Sequence, residues 1–443
     1  MSPGNTYSRT TERLPLRRSG TAAGPISRLN SGVSIKRLEL LAVLFVVAIG
    51  FSGHASAAFS RASRFVHASG THLFDADGRT LQLRGINLGN WLVPEGYMFG
   101  LDGGPASPRE IEAFVSELIG PADATQFWHA YRRAYITEED IRYLSQAGVN
   151  SIRIPLHYKF FMPGNEEGFT LVDRVVGWAR KYHIYVVLDL HCAPGGQTGA
   201  NIDDSWGYPW LHESEASQAM TVAVWKRIAG HYRDNPSVLG YDLLNEPIPE
   251  FPALQKYNSK LEPIYKVLTA AIRTVDKNHV IILGGAQWDS NFAIFGAPFD
   301  ANLMYTFHKY WTAPTKEVIQ SYLDFRDHYN VPIWLGESGE NNDAWIHDFV
   351  QVLEKEGIGW AFWPYKKTGS ASSFLTWQNP AYWDEITAYG RIPGNSSKTG
   401  MRIAARPSLE HSRAAFQSLL ENIRFVHCEV NPGYIQALNL TVP

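Results

Sequence analysis

A chain of 443 residues can build one large hydrophobic core or two medium ones. Hydrophobic residues make up 45% of it, which excludes a disordered class. A net charge of −3, with basic residues spread through the body, argues against a nucleic-acid partner.

The first stretch reads as a targeting segment. Within residues 1–37, Arg9, Arg13, Arg17, Arg18, Arg28, Lys36 and Arg37 stand against a single acid, Glu12, and residues 40–51 form an unbroken run of apolar and glycine residues. A run of that length suits the centre of a signal peptide and falls short of the roughly 20 residues that span a bilayer. Ala55-Ser56-Ala57 supplies an A-x-A cleavage site. The expectation is a signal peptide over 1–57 and export to the periplasm or outside the cell. No stable membrane association is expected after cleavage; an uncleaved anchor is the alternative.

Leu73–Leu83 reads as a β-hairpin turning at Asp77-Gly78. Ser107-Pro108-Arg109-Glu110 combines an N-cap, a proline at the first helical position and a capping-box glutamate, so a helix starts there. Thr137 opens another helix, and Ala147-Gly148 closes it. From there one pattern recurs: a short apolar run, a polar end, then a helix-length segment. Counting Leu83–Asn87, the runs are Ser151–Pro155, Ile184–His191, Val238–Leu244, Val280–Gly285, Met304–His308, Ile333–Glu337 and Ile358–Trp363, eight in all.

Alternation of these runs with segments such as 216–232, 253–274 and 343–356 predicts an α/β fold, a (β/α)8 TIM barrel with a short N-terminal β-hairpin. The link from Gly285 to Leu303 is too short and too rich in Phe, Pro and Gly for a full helix, and residues 97–136 form an insertion at the first βα connection. A last helix is expected over 408–423. The domain reading is a catalytic domain over 58–425 and a tail, 426–443, without assignment.

The carboxyl ends of barrel strands converge on one mouth, and the polar and aromatic residues found there are Asn90, Arg153, His191, Asn245, Glu246, His308, Tyr310, Glu337 and Trp363. Glu246 and Glu337 hold matching positions on different strands. Paired carboxyls are the equipment of glycoside hydrolysis, where one protonates the leaving oxygen and the other attacks or activates water. An aromatic share of 13%, with 14 Trp and 21 Tyr, exceeds what a core needs and suits flat faces for sugar rings. Cys192 follows an apolar strand and reads as a buried thiol; a Cys/His nucleophile at His191-Cys192 is the sharper alternative, and a bridge to Cys428 stays open.

The ordered set Ile152-Arg153-Ile154-Pro155, Leu188-Asp189-Leu190-His191, Asn245-Glu246-Pro247, His308-Lys309-Tyr310, Gly336-Glu337 and Trp363 resembles glycoside hydrolase family 5, the cellulase family. That resemblance implies a retaining double displacement with Glu246 as acid/base and Glu337 as nucleophile. Arg153 would hold Glu337 ionised and Tyr310 would position it. Asn245 would hold a sugar hydroxyl, His191 and His308 would bind hydroxyls or orient the carboxylates, and Trp363 would floor the subsite where the bond breaks. Glu246 needs its proton at working pH, so burial and the Glu337 charge should raise its pKa.

Gly85–Trp91, Asp189–Gln197 and Tyr382–Ile386 resemble the exo-β-1,3-glucanase branch of the family, which implies a β-glucan substrate; an endo-β-1,4-glucanase on the same barrel is the alternative. Asn90, Trp91, Trp206 and Trp210 are possible subsite residues, and loops 97–136 and 193–215 are the expected specificity elements. Ser338 is smaller than the residue often found after the second glutamate, so the pocket is expected to differ there. No cofactor or metal is expected: a metal hydrolase built on His191, His308 and the two glutamates lacks an early His-x-His pair. A non-catalytic glycan-binding barrel is the third class.

Overall fold

Asp75 organises the turn at Asp77-Gly78, its carboxylate accepting the N–H groups of Asp77 and Arg79 at 2.9 Å. The computed structural model describes residues 64–394 and 399–443, all within one unit, Phe59–Pro443. The expected hairpin is present as β2 (His72–Phe74) and β3 (Thr80–Leu81), with Gly78 at φ +78°, and a strand ahead of it, β1 (His67–Ser69), completes a three-stranded sheet. The leader read over 1–57 lies outside the described residues. No helix among the described residues is long and apolar enough to cross a membrane.

Eight parallel strands close the barrel: β4 (Arg84–Asn87), β5 (Ser151–His157), β6 (Tyr185–Cys192), β7 (Val238–Asp242), β8 (Val280–Gly284), β9 (Leu303–His308), β10 (Ile333–Glu337) and β11 (Gly359–Phe362). Alternation along the strands divides the core in two. Ile152, Ile154, Leu188, Leu190, Ile281, Leu283 and Leu335 face the surrounding helices. Val187, Val280, Ile282, Met304, Trp334 and Ala361 fill the barrel, and Val66, Leu73 and Leu83 close its floor. The hairpin is thus a plug, and with the lower barrel filled by apolar side chains, polar groups are left to the upper end.

The insertion at 97–136 carries two helices, Pro108–Ile119 and Pro121–Tyr135. Ser107 and Glu110 form the full capping box, as do Thr137 and Asp140, and Gly148 ends the latter helix at φ +96°. The Gly285–Leu303 link holds only the short turn Ala286–Asp289 and one 3-10 turn. A helix over Leu409–Asn422 matches the last one expected. The tail is built in: Glu429–Val430 pairs antiparallel with Leu375–Trp377, and Tyr434 donates to the Trp363 carbonyl at 3.3 Å. Cys192 and Cys428 are both free thiols. Burial pushes the Cys192 thiol well up and its sulfur faces the Ile202 carbonyl at 3.7 Å, so the nucleophile alternative has no thiolate to work with.

Candidate active site

Arg153 organises the upper end of the barrel. Its side chain is fully buried, pointing inward from β5. Nε donates to Asp242 at 2.9 Å, Nη2 donates to Asn245 at 2.9 Å and lies 3.2 Å from Asp189, and Nη1 donates to Asn87 at 3.1 Å. Nη1 also donates to Glu337 Oε1 in a close contact. Three carboxyls therefore share one guanidinium. Burial pushes Asp189 and Asp242 up to about 7 despite the opposing pull of Arg153.

Each glutamate has its own partners. The Tyr310 hydroxyl donates to Glu337 Oε2 at 3.1 Å, so one oxygen of Glu337 is held from below and the other from the side. His308 Nδ1 lies 2.9 Å from Glu246 Oε1 and 3.8 Å from Glu337 Oε2. One carboxylate oxygen of each glutamate lies within 4.8 Å of one on the other, an approach compatible with the carboxyl separation of about 5–5.5 Å in a retaining pair. Burial raises Glu246 to about 7, against the pull of His191 and Arg153. Burial, and not the expected push from the Glu337 charge, is what raises it.

These glutamates line a cleft of about 560 Å³ with Glu95, Tyr97, His191, His308, Tyr310 and Trp363. His191 is stacked on Trp363 at 5.8 Å between centroids and 10° between planes. Its Nδ1 lies 2.8 Å from Asp189 and its Nε2 lies 3.3 Å from Asn245 Nδ2. Burial lowers His191 to about 4 and His308 to about 3, so both rings are neutral hydrogen-bonding groups near pH 7. The Trp363 indole donates to Tyr97 at 2.8 Å, and Gly89 lies beneath the ring, where a Cβ would come within 2.5 Å. Glu246, His308 and Glu337 could each offer one ligand atom to a cation, but a cation there would meet the Arg153 guanidinium bonded to Glu337. A larger groove of about 1010 Å³ lies between the helices at 121–135 and 409–422, lined by none of these groups.

Asn245 departs from the expectation in one respect. It is fully buried, its oxygen accepts an N–H of Arg153, and its amide nitrogen faces His191, so it sits behind His191 rather than open to the cleft. Trp91 is not a subsite residue: it is 2% exposed, packs in the core and donates to the Arg132 carbonyl at 2.7 Å. Asn90 is fully buried and shapes the loop, accepting the Glu95 N–H at 2.9 Å. Trp206 and Trp210 are 77% and 47% exposed and do not line the cleft, although Ile202 of the same loop does. Ser338 is buried, its hydroxyl donating to the Lys309 carbonyl at 2.7 Å, so it does not shape the pocket.

Sequence reasoning missed Glu95, Glu340 and Asp289. Burial first, and the charges of Glu337, Glu340 and Glu246 next, push the Glu95 carboxyl well up. Only its place two residues before Tyr97 in the first loop could have marked it. Glu340 lines the cleft and pairs with Lys367 at 2.7 Å. Asp289 accepts the Glu246 N–H at 3.1 Å from a loop with no periodic signal.

A family model described as Cellulase (glycosyl hydrolase family 5) matches residues 114–369, more than half of the chain. Among named relatives, the chain is 29% identical over 357 residues to a beta-xylosidase from Phanerodontia chrysosporium, covering 69% of this chain and 71% of that protein. It is 30% identical over 174 residues to a probable glucan 1,3-beta-glucosidase A from Emericella nidulans, 38% of this chain and 42% of that one. A crystal structure of endogalactoceramidase shares the fold with a TM-score of 0.55 at 18% identity, covering 84% of each chain.

Proposed function

The chain belongs to glycosyl hydrolase family 5 and is a glycoside hydrolase, and from that premise we propose that it cleaves β-glucosidic bonds of a β-glucan or its oligosaccharides with retention of configuration. The observation that carries the proposal is the close approach of Glu246 and Glu337, each with a different set of partners. Glu337, bonded by Arg153 and Tyr310, attacks the anomeric carbon. Glu246 gives its proton to the departing glycosidic oxygen as that bond breaks. Water then attacks the glycosyl-enzyme ester, Glu246 takes the proton back, and Glu337 leaves as a carboxylate.

Burial supports the first half of this cycle, since it keeps Glu246 protonated up to about pH 7. His308 orients the Glu246 carboxyl, His191 and Trp363 form one wall, and Asn245 braces both Arg153 and His191. Trp206 and Trp210 lie farther out, where an aromatic face can meet a longer chain. A leader over 1–57 and export, a catalytic domain starting at 58, and the absence of cofactor need belong to the same reading.

A second substrate reading follows from the relative named beta-xylosidase. Xylosides lack the hydroxymethyl group of glucosides, so steric room at one ring position separates the two. The test is product chromatography on laminarin, cellulose-type, mixed-linkage and mannan substrates, beside paired aryl β-glucoside and β-xyloside rates. Glucose alone from laminarin means exo-1,3 action, and a ladder from a 1,4-glucan means an endoglucanase. A xyloside preference moves the assignment to xylosidase. Equal product release by the parent and Glu337→Ala would end the catalytic reading in favour of a glycan-binding barrel.

A further inference from the structure

We infer that Asp289 is a positioning residue for Glu246, holding it both at the backbone and, through His308, at the carboxyl. The inference rests on the reading of Glu246 as acid/base. Asp289 is fully buried in the link between β8 and β9 and does not line the cleft, so it acts through other residues. Its Oδ2 accepts the Glu246 N–H at 3.1 Å and also lies 3.3 Å from His308 Nε2. The other ring nitrogen, Nδ1, is 2.9 Å from Glu246 Oε1. One carboxyl thus closes a loop of contacts that begins and ends on Glu246.

Glu246 needs such a brace because its φ of +43° lies in the left-handed region, which a glutamate leaves unless neighbours hold it. The brace is itself built against local preference. Gln287, Trp288 and Asp289 follow one another at φ of +51°, +59° and +58°, a run with no glycine in it. Gln287 anchors the run, exchanging side-chain hydrogen bonds with Asn258 at 2.8 and 3.1 Å and accepting from Asn291 at 2.8 Å. Two glycines clear the space: a Cβ on Gly284 would lie 1.9 Å from Asp289 Oδ1, and one on Gly336 would lie 3.0 Å from His308 Nε2.

The titratable groups around the device are few. Asp289 is faced by Asp242, Glu246, Arg153 and the Tyr265 hydroxyl, and His308 by Glu337, Arg153 and His191. Burial, then the charges of Asp242 and Glu246, push the Asp289 carboxyl upward.

The test compares kcat/KM of the parent, Asp289→Asn and Glu246→Ala on two glycosides of the sugar the enzyme accepts. One carries a 2,4-dinitrophenyl group, which leaves without a proton; the other carries an alkyl or sugar group, which needs one. Asp289→Asn is expected to lose about 10- to 100-fold on the second and less than about threefold on the first, with the basic limb of its pH profile moved. A residue that only stabilises the fold would lower both rates alike and leave the limb in place, and that result overturns the inference. Glu246→Ala must show the split more strongly. If it shows none, the acid/base reading fails and the positioning role falls with it; if it alone shows the split, only Asp289 is dismissed. Should Asp289→Asn not fold, Asp289→Ser keeps an acceptor for the Glu246 N–H and is judged by the same ratio.

Discussion

Replacing Arg153 by Met removes the one cation that Asp189, Asp242 and Glu337 share, and the consequence is calculable. The side chain is fully buried, as are those of Asp189 and Asp242. Breaking a buried pair by deleting one partner costs about 3–5 kcal/mol, because the carboxyls left behind must stay charged without compensation or take up protons. They take up protons. Without the opposing pull of Arg153 their folded pKa values rise beyond the present values of about 7 for the two aspartates, while their unfolded values stay near 3.9. A raised folded pKa contributes stability below the unfolded value that is lost as pH climbs through the folded one. The variant should therefore lose stability more steeply than the parent between pH 6 and 8. Each extra proton bound by the folded state adds about 1.4 kcal/mol per pH unit. Urea unfolding of both proteins at pH 5.5 and pH 8 measures this. A penalty about 2 kcal/mol larger at pH 8 supports the charge count. The same penalty at both pH values would refute it, since packing loss alone carries no proton. Activity should fall at least about a hundredfold, as Glu337 loses the guanidinium that donates to it.

Other changes act on single contacts. The basic limb of kcat/KM should fall near pH 7, because Glu246 must be protonated to act as acid, and Glu246→Gln should abolish that limb on substrates with poor leaving groups. Tyr310→Phe deletes a hydrogen bond to Glu337 of the kind worth about 1.5–3 kcal/mol, so kcat should drop roughly 10- to 100-fold with KM little changed. Gly89→Ala puts a methyl within 2.5 Å of the Trp363 ring; steady-state kinetics should show KM raised more than kcat is lowered, and calorimetry a loss of about 1–3 kcal/mol. Dialysis against a strong chelator should leave the rate unchanged, and a loss restored by a divalent cation would reopen the metal reading of Glu246, His308 and Glu337.

The barrel was legible because burial on both faces of a parallel strand writes itself as an unbroken apolar run, and the run ends where the site begins. His191, His308 and Glu337 each end such a run and Arg153 is the one charge inside another, so their convergence could be read from the strand pattern. The errors came where a side chain's direction depends on the loop rather than on strand alternation. Trp91 sits one residue past Asn90, whose φ of +64° reverses the chain and sends the indole into the core instead of the cleft. Asp289 was invisible because three successive left-handed residues without glycine carry no turn signature; tertiary contacts alone impose that path. Asn245 is expected to meet a sugar hydroxyl, but it lies fully buried because Arg153 reaches across to it from β5, a contact no linear motif contains.

In the proposed cycle Glu246 and Glu337 act in sequence on opposite sides of one bond. Proton NMR of the first-formed sugar, recorded before mutarotation, tests that directly. Release of the β anomer from a β-glycoside is the predicted result. The α anomer would mean a single displacement by water, with Glu337 acting as base and not as nucleophile.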